Sequence, residues 1–136
     1  MDWGLKNRLS RIIKPATGRT VMLAVDHGYF LGPTAGLEVP RRTVEPLLPF
    51  ADSLMLTRGV LRTSVPPEAD IPIVLRVSGG TSILSELSNE GTTVSIRDAV
   101  RLNVAAEALS IFVGSPYERQ TLLALADLVD QAGEHG

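Results

Sequence analysis

The chain contains no cysteine. Disulfides, thiolate metal sites and a cysteine nucleophile are therefore excluded. Its only histidines are His27 and His135. A catalytic zinc wants about three protein ligands, so no metal site is expected. Lysine is just as scarce: Lys6 and Lys14 are the only ones, and none follows them. Neither sign of charge dominates. A formal net charge of -2 gives no electrostatic footprint for nucleic acid or an acidic membrane surface. No apolar stretch approaches the roughly 20 residues of a membrane span. The start, M-D-W-G-L-K-N-R-L-S, has no apolar signal-peptide region, so a cytoplasmic protein is expected. There is no G-x-S-x-G elbow for a serine nucleophile and no Gly-Lys-Ser/Thr phosphate loop.

What is present is enough for one domain: 136 residues, of which 44% are hydrophobic. Trp3 to Ile13 places Leu5, Leu9, Ile12 and Ile13 at helical spacing among basic residues, and Pro15 and Gly18 end that helix. Four apolar runs follow as strand candidates. They are Thr20 to Val25, Ser53 to Thr57, Ile71 to Val77 and Ala108 to Val113. The first is apolar throughout, the pattern of a strand buried on both faces. Short helices are expected between them. Thr43 to Ala51 is limited by Pro46 and Pro49, Arg58 to Thr63 stops before Pro66-Pro67, and Ser82 to Leu87 gives one more. Ser95 can cap a better helix with Asp98 at its third position.

The last helix has the sharpest start. Ser115-Pro116-Tyr117-Glu118 places serine at the N-cap, proline at N1 and glutamate at N3. Leu122, Leu125, Ala126 and Val129 form its apolar stripe, and Gly133 is a C′ candidate. Strands alternating with helices predict a parallel α/β sheet, with functional loops at the C-terminal ends of the strands.

Those ends hold the candidate residues. Asp26 and His27 close the first run, M-L-A-V-D-H-G. Asp26 can act as a general base or bind a substrate hydroxyl; it can also simply cap loop N–H groups. An acid after an apolar strand needs a partner once it is partly buried. His27 can exchange protons, orient Asp26, or bond loop backbone. Ser78-Gly79-Gly80-Thr81-Ser82 can cradle a phosphate through backbone N–H groups or form a tight turn. Arg58 and Arg76, each beside a strand end, can contact an anion.

Several stretches resemble a known family. M-D-W-G-L-K-N-R-L-S-R-I, T-G-R-T-V-M-L-A-V-D-H-G-Y-F-L-G-P-T-A-G-L-E, T-R-G-V-L-R-T-S-V-P-P and S-I-L-S-E-L-S-N-E together resemble the class I, Schiff-base aldolases of the DeoC/FbaB (DhnA-type) group. The D-W-G-L start and the T-R-G-V-L-R stretch point to its thiolase branch, which processes a phosphorylated hydroxy-diketone from the autoinducer-2 signal. The resemblance implies the N-terminal half of a (β/α)8 TIM barrel, with about four βα units over 20–133 behind an N-terminal helix over 1–15.

It also implies a lysine Schiff base with a ketone substrate, and a role for Asp26 in orienting substrate and proton transfer. His27 stands beside it. The sugar-phosphate pocket of the family gives Arg58 and Ser78 a polar role. No bound cofactor is implied; in the thiolase branch, coenzyme A is the co-substrate that receives an acetyl group. A fructose-bisphosphate aldolase and a synthase of aromatic precursors are the neighbouring activities.

The chain departs from that family in length. A TIM barrel typically takes about 250 residues, and the family's lysine and phosphate site lie in the half not represented here. A four-stranded piece leaves two unpaired edges. The expectation is therefore an N-terminal portion that is inactive alone. It would be completed by a C-terminal half, or by a second copy in a homo-oligomer, or retained as a binding module or an inactive remnant.

Overall fold

The structure, a computed structural model, describes residues 2–32, 34–80 and 85–136. Asp2 opens helix α1 (Trp3–Ile12), its Oδ1 accepting from Leu5 N at 2.8 Å. Strand β1 (Met22–Ala24) follows, then a single turn α2 (Gly28–Leu31). Helix α3 (Pro40–Leu47) starts on a proline and tolerates Pro46 only in its last turn, giving way to a 3-10 turn over Leu48–Phe50. Next come β2 (Ser53–Thr57), α4 (Arg58–Ser64), β3 (Ile73–Arg76), β4 (Ser78–Gly80) and β5 (Glu90–Thr92). The chain ends through α5 (Ile96–Arg101), β6 (Ala106–Ala108) and α6 (Glu118–Gly133).

Four strands form one parallel sheet in the order β1-β2-β3-β6. β4 and β5 form a separate antiparallel ribbon. Register fixes which side chains share a face. Leu56 pairs with Leu75, and Leu75 with Glu107. This row faces the helices, where Val44, Leu54, Leu56, Leu75 and Val77 are fully buried. Each such side chain contributes about 1.5–3 kcal/mol by leaving water. The opposite row runs Ala24, Met55, Val74, Ala106, and Ile12 of α1 closes its lower end against Val74 and Ala105. The next residues on that face are Asp26, Thr57, Arg76 and Ala108. Period-2 alternation thus places Asp26 and Arg76 in one layer at the C-terminal end of the sheet.

Several expectations need correction. β1 is an edge strand, not one buried on both faces: Val21 is 61% and Met22 38% exposed. The last strand begins and ends earlier than the apolar run A-L-S-I-F-V, because Ala105 N donates to Ile73 O and Val77 N to Ala108 O. Val113 is left exposed. The motif at Ser115 bonds one residue early: Ser115 Oγ accepts from Tyr117 N and Glu118 Oε2 from Gly114 N. Helix α6 therefore starts at Glu118, with Tyr117 as its N-cap. It packs through Thr121 and Leu128, while Leu122 and Val129 of the expected stripe face outward. Gly133 is still helical. Of the helix expected over 82–87, residues 82–84 lie outside the described residues, and 85 and 87 are bend and turn. Among the described residues no helix is long and apolar enough to cross a membrane.

One side chain on the helix-facing row is out of character. Both carboxylate oxygens of Glu107 are sealed from solvent and have no hydrogen-bond partner among the described residues. They border an apolar cavity lined by Leu125, Leu128, Val129 and Ala132. Burial pushes this carboxyl above its ordinary value. A raised native value means that its contribution to stability is present below the unfolded value and is lost as pH rises through the native one. Glu107→Gln is therefore expected to gain on the parent as pH rises from about 4.3. Glu107→Leu should add on the order of 1–3 kcal/mol at pH 7. Urea unfolding at pH 4 and pH 7 checks both; equal differences at the two pH values would contradict this account.

Candidate active site

The strand ends converge on Arg76, whose side chain is 10% exposed. Nη1 donates to Asp26 Oδ2 at 3.1 Å. Nη2 donates to Glu90 Oε1 and Oε2 at 3.0 and 2.9 Å, to Ser110 Oγ at 2.6 Å, and to the Tyr29 hydroxyl. Nε reaches Ser78 O at 3.2 Å and Oγ at 3.1 Å. The guanidinium also sits 4.6 Å from the centre of the Tyr29 ring, within cation–π range. The donors of Arg76 thus gather the end of β1, the turn α2, both ribbon strands and the segment after β6.

The carboxylates that hold this cation are themselves buried, Asp26 to 8% and Glu90 to 3% side-chain exposure. Glu90 accepts further hydrogen bonds from the Tyr29 hydroxyl and from Ser78 Oγ. Burial, and then the hydrogen bond to Glu90, push the Tyr29 phenol up from its ordinary value, so it stays protonated at neutral pH. Two carboxylates face one guanidinium, so the cluster has one more anionic group than cationic. Burying ions is costly unless every polar atom is met, and Arg76 and Glu90 meet that condition. Asp26 Oδ1 accepts no hydrogen bond from a described residue, and His27 Nδ1 stands 3.9 Å from it.

The sequence-predicted residues fall into different places. Asp26 is in the cluster. His27 is the N-cap residue of α2, makes no side-chain capping bond and is 42% exposed at its side chain. Ser78 is in the cluster as scaffold, accepting from Ser110 N and Arg76 Nε. Arg58 is drawn away from it, with Nη1 donating to Asp98 Oδ2 at 2.8 Å. That bond, followed by the charges of Arg62 and Arg58, holds the Asp98 carboxyl below its ordinary value. Arg58 still borders, with Tyr29, Thr57, Arg76, Ser78, Gly79 and Thr93, an open cleft of about 240 Å³.

The anions that Arg76 contacts are two carboxylates of the chain itself, Asp26 and Glu90. Of the Ser78-Gly79-Gly80-Thr81-Ser82 stretch, residues 78–80 form a ladder strand, and 81 and 82 lie outside the described residues. Sequence reasoning missed Tyr29, Glu90 and Ser110. Tyr29 carried a weak signal, being an aromatic just past a strand end. Glu90 and Ser110 carried none, since only the fold brings them to Arg76.

A four-stranded parallel sheet whose strands alternate with helices, with an acid at its C-terminal rim, is the architecture of about half of a TIM barrel. Solved structures agree on the fold. The chain superposes on an archaeal fructose 1,6-bisphosphate aldolase with a TM-score of 0.76 at 24% identity, covering 96% of this chain and 53% of that one. A Schiff-base-forming fructose-1,6-bisphosphate aldolase gives the same TM-score, with 54% of its chain covered. No family model matches the chain.

Its sequence relatives are more specific. It is 54% identical over 136 residues to the 3-hydroxy-5-phosphonooxypentane-2,4-dione thiolase of Photorhabdus laumondii, covering 100% of this chain and 47% of the relative. It is 55% identical over 130 residues to the protein of that name from Escherichia coli K12, covering 96% and 45%. An uncharacterized aldolase of Pasteurella multocida is 52% identical over 136 residues. The chain spans about half the length of the curated relatives it matches. It thus resembles one half of a class I aldolase of the DeoC/FbaB (DhnA-type) family, and within that family the thiolases just named.

Glu90 is presented to Arg76 by a tight ribbon. A Cβ on Gly80 would lie 2.5 Å from Asn89 O and 3.3 Å from Glu90 Cα, so only glycine fits unless the ribbon parts. Gly80→Ala is expected to destabilise the chain by about 1–3 kcal/mol and to displace Glu90. A urea midpoint unchanged from the parent would show that the ribbon yields freely.

Proposed function

We propose that this chain supplies the acid-bearing half of the active site of a class I aldolase-type enzyme. The reaction is cleavage of a carbon–carbon bond in a phosphorylated hydroxy-diketone, the substrate class named for the Photorhabdus and Escherichia relatives. The observation that supports it most is the 54% identity over the whole chain, together with a buried Asp26 whose Oδ1 is unengaged at the strand C-terminal ends. A carboxylate with a free oxygen at such a place is suited to move a proton on a bound substrate. Arg76 fixes its other oxygen. Coenzyme A is the co-substrate on the thiolase reading. Completion by polypeptide outside this sequence, or assembly with further copies, belongs to the same proposal.

The lysine of a Schiff base needs a depressed pKa in a desolvated site. Lys6 lies on exposed α1, and Lys14 donates to Arg11 O and approaches Asp52, ahead of β2. Both are at the opposite end of the sheet from Asp26. On this reading the amine comes from polypeptide outside these 136 residues. The same observation favours a second reading, a non-catalytic half-barrel that binds a partner. A fructose-bisphosphate type of substrate is the alternative within the enzymatic reading.

Borohydride reduction in the presence of dihydroxyacetone phosphate tests the chemistry. The chain alone is expected to show no mass gain, and an adduct on Lys6 or Lys14 would refute the assignment. In an assembly that includes a lysine-bearing half, Asp26→Asn should lower kcat by about 10²-fold or more, and His27→Gln by far less. Equal or reversed losses would identify His27 as the proton-transfer group. No trapped adduct in any assembly would leave the binding-module reading.

A further inference from the structure

Arginine–carboxylate pairs favour a two-pronged fork in which both oxygens accept. Arg76 and Asp26 do not form one, although both are nearly buried, where a fork would be strongest. Nη1 reaches Oδ2 alone. The other nitrogens are turned elsewhere, Nε onto Ser78 and Nη2 onto both oxygens of Glu90. Glu90 is placed to hold the guanidinium in that rotation. It rides on the ribbon and not on a strand of the parallel sheet. Its oxygens are taken up by Arg76, Tyr29 and Ser78, and it does not border the cleft that Arg76 and Tyr29 line. Glu90 therefore acts on the cleft only through the groups it holds, Arg76 first among them, with Tyr29 and Ser78 beside it.

We propose that Glu90 is a positioning residue for Asp26: it draws Arg76 into a one-pronged contact and so keeps Asp26 Oδ1 free for proton exchange. This deepens the aldolase-type reading and rests on it only for the identity of the proton's partner. The charged and titratable groups around Asp26 are Arg76 on β3, His27 beside it, Tyr29 on α2 and Glu90 on β5 behind the guanidinium. Releasing Arg76 from Glu90 lets it fork onto Asp26. A closer opposite charge and a second hydrogen bond both favour the ionised acid, so Asp26 then titrates at lower pH.

Carbon-13 carboxylate NMR of the whole chain, without substrate, reads this directly. Glu90→Asp conserves charge but shortens the reach by a methylene. It is expected to lower the Asp26 midpoint by about one pH unit, and Glu90→Gln by more. An unchanged or raised midpoint in Glu90→Asp overturns the proposal, because a fall confined to Glu90→Gln reports only the removed charge. A crystal structure of the unaltered chain needs no variant to fold. A single Arg76–Asp26 contact there supports the proposal, and a fork onto both oxygens overturns it. Neither measurement involves a reaction, so failure of the aldolase-type reading would leave both results standing.

Discussion

The C-terminal rim of this sheet is organised by one buried cation. Removing a guanidinium from water is costly, and a low-dielectric surround repays it only when donors and charge are met together. Arg76 meets that condition by recruiting groups far apart in sequence. Asp26 follows β1, Glu90 lies on β5, Ser78 on β4 and Ser110 after β6. Segments that a parallel sheet would otherwise leave as independent loops become a connected platform. Apolar fillings of similar volume are often as stable as buried ion clusters or more so. What the ionic arrangement adds is a fixed orientation for Asp26.

The rest of the fold is unevenly supported. The helix-facing side of the sheet is a continuous core from Val25 to Leu128. Among the described residues, the opposite face has Ile12, Val74 and Ala105 as its buried apolar cluster, with Met55, Ala106 and Ala108 partly buried against it. Both terminal strands are short, β1 and β6 having three residues each, and their outer backbone groups have no strand partner in the sheet. That asymmetry belongs to a barrel wall seen without its opposite wall. In a closed barrel the thin face is the interior, filled by side chains from facing strands. Glu107 fits the same picture. It occupies the terminal strand, and its carboxylate has no described partner.

Legibility from sequence followed the range of the interactions. Ser53 to Thr57 was readable because its pattern, length and following cap are local; Thr57 Oγ1 accepts from Val60 N to start α4. Ser95 was readable for the same reason. The fourth strand was not. A-L-S-I-F-V has the higher β-propensity, but pairing with β3 selects the weaker run A-E-A, an instance of tertiary register overriding local preference. The stripe of α6 was misjudged because apolar periodicity gives a face but not the direction in which that face points. At the site, the acid at the end of an apolar strand was visible. Its organisation was not, since Glu90 lies 61 residues from Tyr29 and 14 from Arg76, and no local pattern connects them.

The charge of the cluster constrains what can complete it. Asp26 and Glu90 together outnumber Arg76, and both are too buried for solvent to screen them fully. A further anion placed against Asp26 Oδ1 would meet a like charge in a low dielectric, whereas a cation would be drawn in. A protonated imine or an ammonium has the favoured sign, and a phosphate has the disfavoured one. On the proposed reading, the reacting carbon of the substrate therefore belongs beside Asp26, and its phosphate belongs at a distance. On the same reading, the Arg76 guanidinium, the most buried cation at the rim, is a poor phosphate anchor. Its charge is already committed to holding the acid.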